Sequence, residues 1–236
     1  ASKQIATTDK VEDVVQMLAT KFRTKKSILR DFTSLHMIVP TLRCNSSCIY
    51  CQVARKNMDD HSADMTKKTA KNVVKTIFQS PSPCVKIGDP STDFNMVKYI
   101  IEEAEWQNLF KKRELDFVIC TNLTLLNEDM VKYLKKHKCM ISTSLDGPKD
   151  LHDMNRPLQN KDLDHAIFEK NLAMIRNIWG DNECVSALMT TSKYSLGRFK
   201  EIIDEYIRLG FNNIFLRSLN PYGFAKQYKD KIAYPV

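Results

Sequence analysis

The chain has 236 residues, 43% hydrophobic and 27% charged, which is typical of soluble globular proteins and excludes a disordered or fibrous chain. Its formal charge is +8, and its lysines are spread over predicted helix faces. No apolar run could cross a bilayer, and the sequence shows neither a signal peptide nor a nucleic-acid-binding motif. We therefore expect a cytoplasmic protein that binds neither membrane nor nucleic acid.

Apolar periodicity predicts a helix first and then an alternation of strands and helices. The first helix covers residues 10–30, where Val14, Leu18 and Phe22 recur at helical spacing and are expected to pack outside the main domain. The predicted strands are residues 35–41, 84–88, 115–121, 139–145, 184–190 and 212–217. The helices between them are residues 66–79, with Thr66 as the cap, and residues 94–109, 127–137, 163–178 and 195–208.

This order gives about six βα units, which predicts an α/β fold with a parallel sheet. Six units form a partial (β/α)6 TIM barrel that is open on one side. We predict two parts, an N-terminal helical extension at 1–34 and the partial barrel at 35–236. Polar motifs follow the predicted strand ends, where barrels of this class carry their chemistry.

Three cysteines, Cys44, Cys48 and Cys51, follow the first predicted strand with C-x3-C-x2-C spacing. Three thiolates can hold three irons of a [4Fe–4S] cluster and leave the fourth iron for a small molecule. Two other interpretations remain open. The motif could be part of a zinc site with His61 as the fourth ligand, or a chance spacing of buried cysteines.

The other four cysteines fall in or beside apolar runs and are predicted to be small buried residues on strands, without disulfides. They are Cys84, Cys120, Cys139 and Cys184. The five histidines lie in unrelated contexts and are expected to be structural or exposed. They are His36, His61, His137, His152 and His165.

With Tyr50 before the last loop cysteine, the motif resembles the signature of the radical S-adenosylmethionine (SAM) enzymes. The resemblance covers roughly residues 20–228 and is strongest to the peptide-modifying, SPASM-type branch, most of all to the His-Xaa-Ser system maturases of the HxsB type. Segments in the matching order are Thr121-Asn122, Ser144-Leu145-Asp146-Gly147-Pro148, His152-Asp153 with Arg156, Leu216-Arg217 and Asn220-Pro221-Tyr222-Gly223-Phe224-Ala225.

The resemblance implies that the three loop cysteines hold the cluster and that SAM chelates the open iron through its amino and carboxylate groups. Gly88 and Asp89, followed by Pro90, match the end of the family's Gly-Gly-Glu-Pro motif, which receives the SAM ammonium. The strand before this motif is about four residues shorter than in the family, a departure that weakens the role expected of Asp89.

Five more residues are implied as SAM contacts. Tyr50 would lie against the adenine or else pack over the loop, and Asn122 would face the ribose or the substrate. Ser144 would hydrogen-bond SAM, and Asp146 would touch it or only hold the turn that follows. Arg156 would grip the SAM carboxylate, unless it forms only a surface ion pair.

The implied function is reductive cleavage of SAM to a 5′-deoxyadenosyl radical, which abstracts hydrogen from a ribosomally made precursor peptide during maturation. A reduced flavodoxin or ferredoxin-type protein would supply the electron. No cysteine follows Cys184, so the cluster-bearing C-terminal domain of peptide-modifying relatives is expected to be absent from this chain. The alternatives are a radical SAM enzyme acting on a small molecule and a non-catalytic iron–sulfur or zinc barrel.

Overall fold

In the described part of the chain, six parallel strands form one sheet in which the strand order follows the chain. The structure is a computed structural model that describes residues 11–29, 36–80, 84–87, 92–160 and 162–234. The strands are β1 His36–Ile38, β2 Cys84–Ile87, β3 Asp116–Cys120, β4 Met140–Ser144, β5 Val185–Thr190 and β6 Phe215–Arg217. The predicted α/β class with a parallel sheet is confirmed.

Helices lie between successive strands and cover one face of the sheet, with one further helix before β1 and one after β6. They are α1 Val11–Leu29, α2 Lys67–Ile77, α3 Phe94–Lys111, α4 Glu128–Lys136, α5 Lys149–Asn155, α6 Asp164–Trp179, α7 Phe199–Arg208 and α8 Lys229–Ile232. In the described part of the chain, none of them combines the length and apolar character that a membrane span requires.

The two faces of the sheet differ because side chains alternate along each strand. Ile38, Ile119 and Ile141 are buried with the helices in the main core. On the opposite face, which we call the open face, Met37, Met140 and Phe215 are 75%, 42% and 67% exposed. The register between β3 and β4 pairs Ile119 with Ile141 and Cys120 with Ser142, so the alternation is kept across strands.

Side-chain caps fix the starts of the helices that follow β1, β2 and β3. The Thr66 hydroxyl accepts a hydrogen bond from the Thr69 amide at 3.1 Å, as predicted for the start of α2. Asp93 and Asn127 cap α3 and α4 in the same way. These caps satisfy amides that lack partners inside the helix.

Several element boundaries differ from the prediction. Helix α7 begins at Phe199 rather than 195, because Ser192 and Ser195 form their own capping box around a short 3-10 turn and Gly197 then takes a φ of +79°. Strands β1 and β6 have three residues each, fewer than predicted. Helices α5 and α8 were not predicted because four to seven residues are too few to show a helical period.

The N-terminal helix is present, and most of its apolar stripe is exposed. Leu18 and Phe22 on α1 are 55% and 67% exposed and Val14 is half-buried, so among the described residues this stripe is not packed into the core. The proposed boundary between residues 34 and 35 lies outside the described residues, and the two-part division stays a prediction.

Two of the four outlying cysteines lie where expected and one does not. Cys139 and Cys184 are buried and directly precede β4 and β5. Cys120 is exposed at the carboxyl end of β3, so the prediction of a buried residue was wrong there. The alternation of β3 turns Phe117 and Ile119 toward the helices and therefore turns Cys120 toward the open face. The side chain of Cys84 lies outside the described ones.

Candidate functional site

The loop that carries Cys44, Cys48 and Cys51 is fixed by backbone hydrogen bonds to a distant segment. The Ser47 amide donates to the Pro157 carbonyl at 2.6 Å, and the Ile49 amide donates to the Asn155 carbonyl at 3.0 Å. These bonds tie the loop to the end of α5. The loop shape is therefore set by tertiary structure as well as by its own small polar residues.

The base of the loop is held by a polar cluster around Asp64. Arg43 donates through Nε to an Asp64 oxygen at 3.0 Å, and Thr41 donates to the same oxygen. Burial tends to raise the pKa of Asp64, but hydrogen bonds from Arg43, Thr41 and His61 outweigh it and lower that pKa to about 2. His61, the alternative zinc ligand, is exposed and lies 2.7 Å from Asp64 through Nδ1.

The three loop cysteines are half-buried and share one electrostatic environment. Burial raises the pKa of the Cys48 thiol to about 12, Arg156 opposes this rise, and Cys44 and Cys51 add to it. An Arg beside several thiols suits a group that binds them as thiolates. Within the described residues, no three His, Cys, Asp or Glu side chains are placed to hold a single metal ion.

A cavity of about 210 Å³ lies beside this loop, at the carboxyl ends of β3 and β4. It is lined by Cys44, Ser46, Cys48, Cys120, Thr121, Asn122, Ser142, Thr143, Ser144, Arg156 and Leu188. The structure thus brings together five residues predicted from sequence, namely Cys44, Cys48, Asn122, Ser144 and Arg156. Among the described lining residues, Arg156 is the one cationic side chain.

Asn122 connects the end of β3 to the cysteine loop. Its Nδ2 donates to Asn45 Oδ1 at 2.9 Å and to Ser46 Oγ at 2.7 Å, and its Oδ1 accepts from the Thr124 amide. Asn122 is 6% exposed, so its amide is largely committed to these protein contacts. Contact with the ribose or substrate remains a prediction for this residue.

Tyr50, Asp146 and Arg156 form a buried group behind the cavity. The Tyr50 hydroxyl donates to Asp146 Oδ2 at 2.5 Å and accepts from Arg156 Nη1 at 2.9 Å. Asp146 is fully buried, and its other oxygen accepts from the Thr190 amide at 3.4 Å. Burial tends to lower the pKa of Arg156, but the groups around it, Cys48 first, raise it above its ordinary value. Arg156 is not a surface residue, so the surface ion pair is not observed.

A segment near the C-terminus closes against the other side of the cysteine loop. The Ala225 amide donates to the Cys51 carbonyl at 2.9 Å, and Ala225 packs with buried Tyr50. Gly223 has a φ of +57°, and a Cβ there would lie 2.6 Å from the backbone of Gln52. This close approach requires glycine. Gly223 belongs to the segment Asn220-Pro221-Tyr222-Gly223-Phe224-Ala225, which was one of the segments that resemble the family.

Gly88 and Asp89 fall outside the described residues. Met189 is buried in the core, whereas Leu216 is 67% exposed on β6. Sequence reasoning missed Ser142 and Leu188, which line the cavity. Ser142 lies two residues before Ser144, so strand alternation could have placed it on the same face.

The comparisons with known proteins agree with the motif. The profile described as the radical SAM superfamily matches residues 38–232. An uncharacterized protein from Methanocaldococcus jannaschii is 32% identical over 130 residues, 53% of this chain and 43% of its own length. The cysteine-type anaerobic sulfatase-maturating enzyme of Clostridium perfringens is 25% identical over 121 residues, 48% of this chain and 32% of its own length.

Two solved structures show the same fold at low sequence identity. Native anSMEcpe with bound AdoMet has a TM-score of 0.68 at 16% identity and covers 79% of this chain and 52% of its own. Streptococcus suis SuiB bound to precursor peptide SuiA has a TM-score of 0.62 at 16% identity, covering 89% of this chain and 45% of its own. The chain spans about half the length of the relatives it matches.

Proposed function

The chain belongs to the radical SAM superfamily, whose cofactors are a [4Fe–4S] cluster and SAM, and on this premise we propose that Cys44, Cys48 and Cys51 ligate the cluster. The main support for this proposal is that two loop thiols, Cys44 and Cys48, line the same cavity as Ser144 and Arg156. The third thiol, Cys51, belongs to the same electrostatic group. This donor set fits a cluster that keeps one iron for a small molecule.

SAM is proposed to bind in the cavity beside the loop. Arg156 would pair with its carboxylate through a charged hydrogen bond, and Ser144 would offer a hydroxyl at the end of β4. Gly88 and Asp89 are proposed to receive its ammonium. Tyr50 and Asp146 act behind Arg156, and Asn122 holds the loop in place. When bound, the cluster and SAM supply a 5′-deoxyadenosyl radical by reductive cleavage of the sulfonium.

The proposed substrate is a ribosomally made precursor peptide, as in His-Xaa-Ser maturation systems, modified at an unactivated carbon. The open face supports this proposal, since Cys120 and Ser142 belong both to that face and to the cavity lining. Six strands at about 4.8 Å spacing make a sheet roughly 24 Å wide, which an extended peptide of about seven residues would cross. Among structures of the same fold, SuiB binds a precursor peptide.

The electron is proposed to come from a reduced flavodoxin or ferredoxin-type protein. The formal charge of +8 favours association with an acidic donor or an acidic peptide. Raising the ionic strength should therefore slow SAM cleavage driven by such a donor more than cleavage driven by dithionite.

The first test measures cluster assembly and SAM cleavage in anaerobic protein. We expect about four irons per chain and 5′-deoxyadenosine on addition of SAM and dithionite. Cys44→Ala, Cys48→Ala and Cys51→Ala should each abolish SAM cleavage. Cys139→Ala, a buried cysteine outside the loop, is the matched control and should retain iron. Stoichiometric zinc without iron or sulfide in the wild-type protein would contradict the assignment.

The second test follows hydrogen from the substrate. A deuterated candidate peptide, incubated with the enzyme and SAM, should transfer deuterium into 5′-deoxyadenosine and change mass. Transfer from deuterated small molecules but never from peptide would support the alternative of a small-molecule enzyme.

A further inference from the structure

Asp164 is a buried carboxylate that the proposed site does not yet explain. It is the first residue of α6 and only 1% exposed, and neither of its oxygens has a hydrogen-bond partner among the described residues. A buried carboxylate without hydrogen bonds is costly unless positive charge lies nearby. Its neighbours therefore indicate what it does.

The two nearest nitrogen groups belong to residues beside the cavity. Asp164 Oδ2 lies 3.7 Å from Arg156 Nε and 3.5 Å from His152 Nε2. Both nitrogens are themselves buried and without a hydrogen bond in the described part of the chain. Small shifts of these side chains would bring either nitrogen within hydrogen-bond distance of the carboxylate.

These contacts complete a closed ring of five residues, in which one link is the backbone amide of Asp146. Tyr50 donates to Asp146, and Arg156 donates through Nη1 to Tyr50. The Asp146 amide donates to His152 Nδ1 at 3.3 Å, and His152 and Arg156 both face Asp164. The ring links the cysteine loop, the end of β4, α5 and α6. Only Arg156 among its members lines the cavity.

We infer that Asp164 is a positioning residue that orients the Arg156 guanidinium toward the carboxylate of SAM. The inference rests on the proposed binding of SAM by Arg156. The guanidinium is planar, so holding Nη1 at Tyr50 and Nε at Asp164 fixes the direction of Nη2. Nη2 has no hydrogen bond with the described residues and remains for a ligand in the cavity. His152, whose Nε2 lies 3.5 Å from Asp164 Oδ2, is the second side chain that helps to hold the Asp164 carboxylate in place.

A purely structural role for Asp164 makes a different prediction. A carboxylate in the first turn of α6 also interacts with the positive end of the helix dipole. Loss of that interaction would weaken folding and lower affinity for any ligand of the site. Loss of positioning would lower affinity only for ligands that carry the carboxylate.

The experiment compares SAM with decarboxylated SAM, which lacks only the carboxylate, by equilibrium dialysis on cluster-reconstituted protein. Wild-type protein should prefer SAM by about tenfold or more, because the carboxylate would both chelate the open iron and pair with Arg156. Asp164→Asn should lower this preference severalfold while leaving the affinity for decarboxylated SAM unchanged. In an Arg156→Lys background the same substitution should have no further effect. Asp162→Asn, an exposed carboxylate two residues away, is the matched control.

The outcomes separate this inference from the proposed function. A wild-type protein without preference for SAM, or an Arg156→Lys variant with the wild-type preference, would overturn the role of Arg156. If Arg156→Lys lowers the preference and Asp164→Asn leaves it unchanged, or lowers affinity equally for both ligands, the positioning role is overturned. If Asp164→Asn does not fold, Asp164→Glu keeps the charge at the helix start, displaces the carboxylate and should show the same selective loss.

A readout independent of cofactor is available in ¹⁵N-arginine-labelled apoprotein. The Arg156 Nε–H resonance, assigned by its disappearance in Arg156→Lys, should be protected from solvent exchange. Asp164→Asn should shift this resonance and reduce its protection, and Asp162→Asn should not. An unchanged resonance would argue against the inference.

Discussion

Tyr50 lies between two of the loop cysteines, and its hydroxyl makes contacts that its place in the motif does not reveal. It donates to Asp146 and accepts from Arg156, and all three side chains are buried. The hydroxyl therefore joins the cysteine loop to the Arg proposed to bind SAM. An aromatic ring alone would fill the same space without making this connection.

Tyr50→Phe should destabilise the apoprotein by about 1–3 kcal/mol, because it leaves a buried carboxylate and a buried guanidinium each short of one partner. Chemical denaturation of the apoprotein measures this loss. Tyr228→Phe, at an exposed tyrosine, is the control. Equal effects of the two substitutions would show that the Tyr50 hydroxyl contributes little.

The sequence indicates some residues of the candidate site and not others. The motif singles out the three cysteines, Arg156 and Ser144 because their types and order along the chain are distinctive, and all of these except Cys51 line one cavity. It did not find Asp164, because the role of this residue depends on α6 bringing it to Arg156. Local sequence contains no signal for such a contact.

At the scale of elements, the segment around Gly223 and the cysteine loop depend on each other. Gly223 combines a positive φ with a close approach to Gln52, whereas Gly180 at the end of α6 has a φ of +87° and nothing near its Cβ position. Substitutions at these two glycines can therefore distinguish the cost of backbone strain from the cost of steric contact.

Gly223→Ala should lower the free energy of unfolding by about 1–3 kcal/mol more than Gly180→Ala does, because both substitutions strain the backbone but only one forces two segments apart. It should also reduce iron retention after reconstitution. Denaturation and iron analysis measure these effects. Indistinguishable results for the two variants would mean that the close approach is relieved without cost.

Element positions follow from the sequence where apolar periodicity is long, as in α2, α3 and α6. Short elements and strand ends do not, because tertiary hydrogen bonds decide them. Cys120 shows the same limit, since its apolar neighbours suggest burial whereas strand alternation exposes it. To predict its exposure, one must know which residues of β3 face the helices as well as that the strand exists.

At the scale of the whole molecule, the cavity and the open face together set the conditions for a substrate. Among the described residues that line the cavity, Arg156 alone is cationic, and the adjoining sheet face is exposed and partly apolar. This arrangement favours an uncharged target group presented by a longer chain. We therefore expect the proposed peptide to contact the open face as well as the cavity.

Phe215→Ser should reduce peptide modification severalfold while leaving SAM cleavage without peptide near the wild-type rate. Phe215 is 67% exposed on the open face, so its loss removes apolar contact area with little effect on folding. Mass spectrometry of the peptide and quantification of 5′-deoxyadenosine measure the two rates. Leu109→Ser, at an exposed residue on α3, is the control. Equal peptide modification by both variants would remove Phe215 from the proposed substrate surface.

The hydrogen bonds that shape the cysteine loop have a consequence for how the protein matures during synthesis. The Cys44 carbonyl is bonded by Gln159, 115 residues later, and Gln52 by Asn220, 168 residues later. Contacts of such long sequence separation form late in folding. We therefore expect the cysteine loop to take its final shape, and to accept metal, only after synthesis has passed residue 220. A ribosome stalled before residue 159 should display thiols that alkylate rapidly and fail to retain iron.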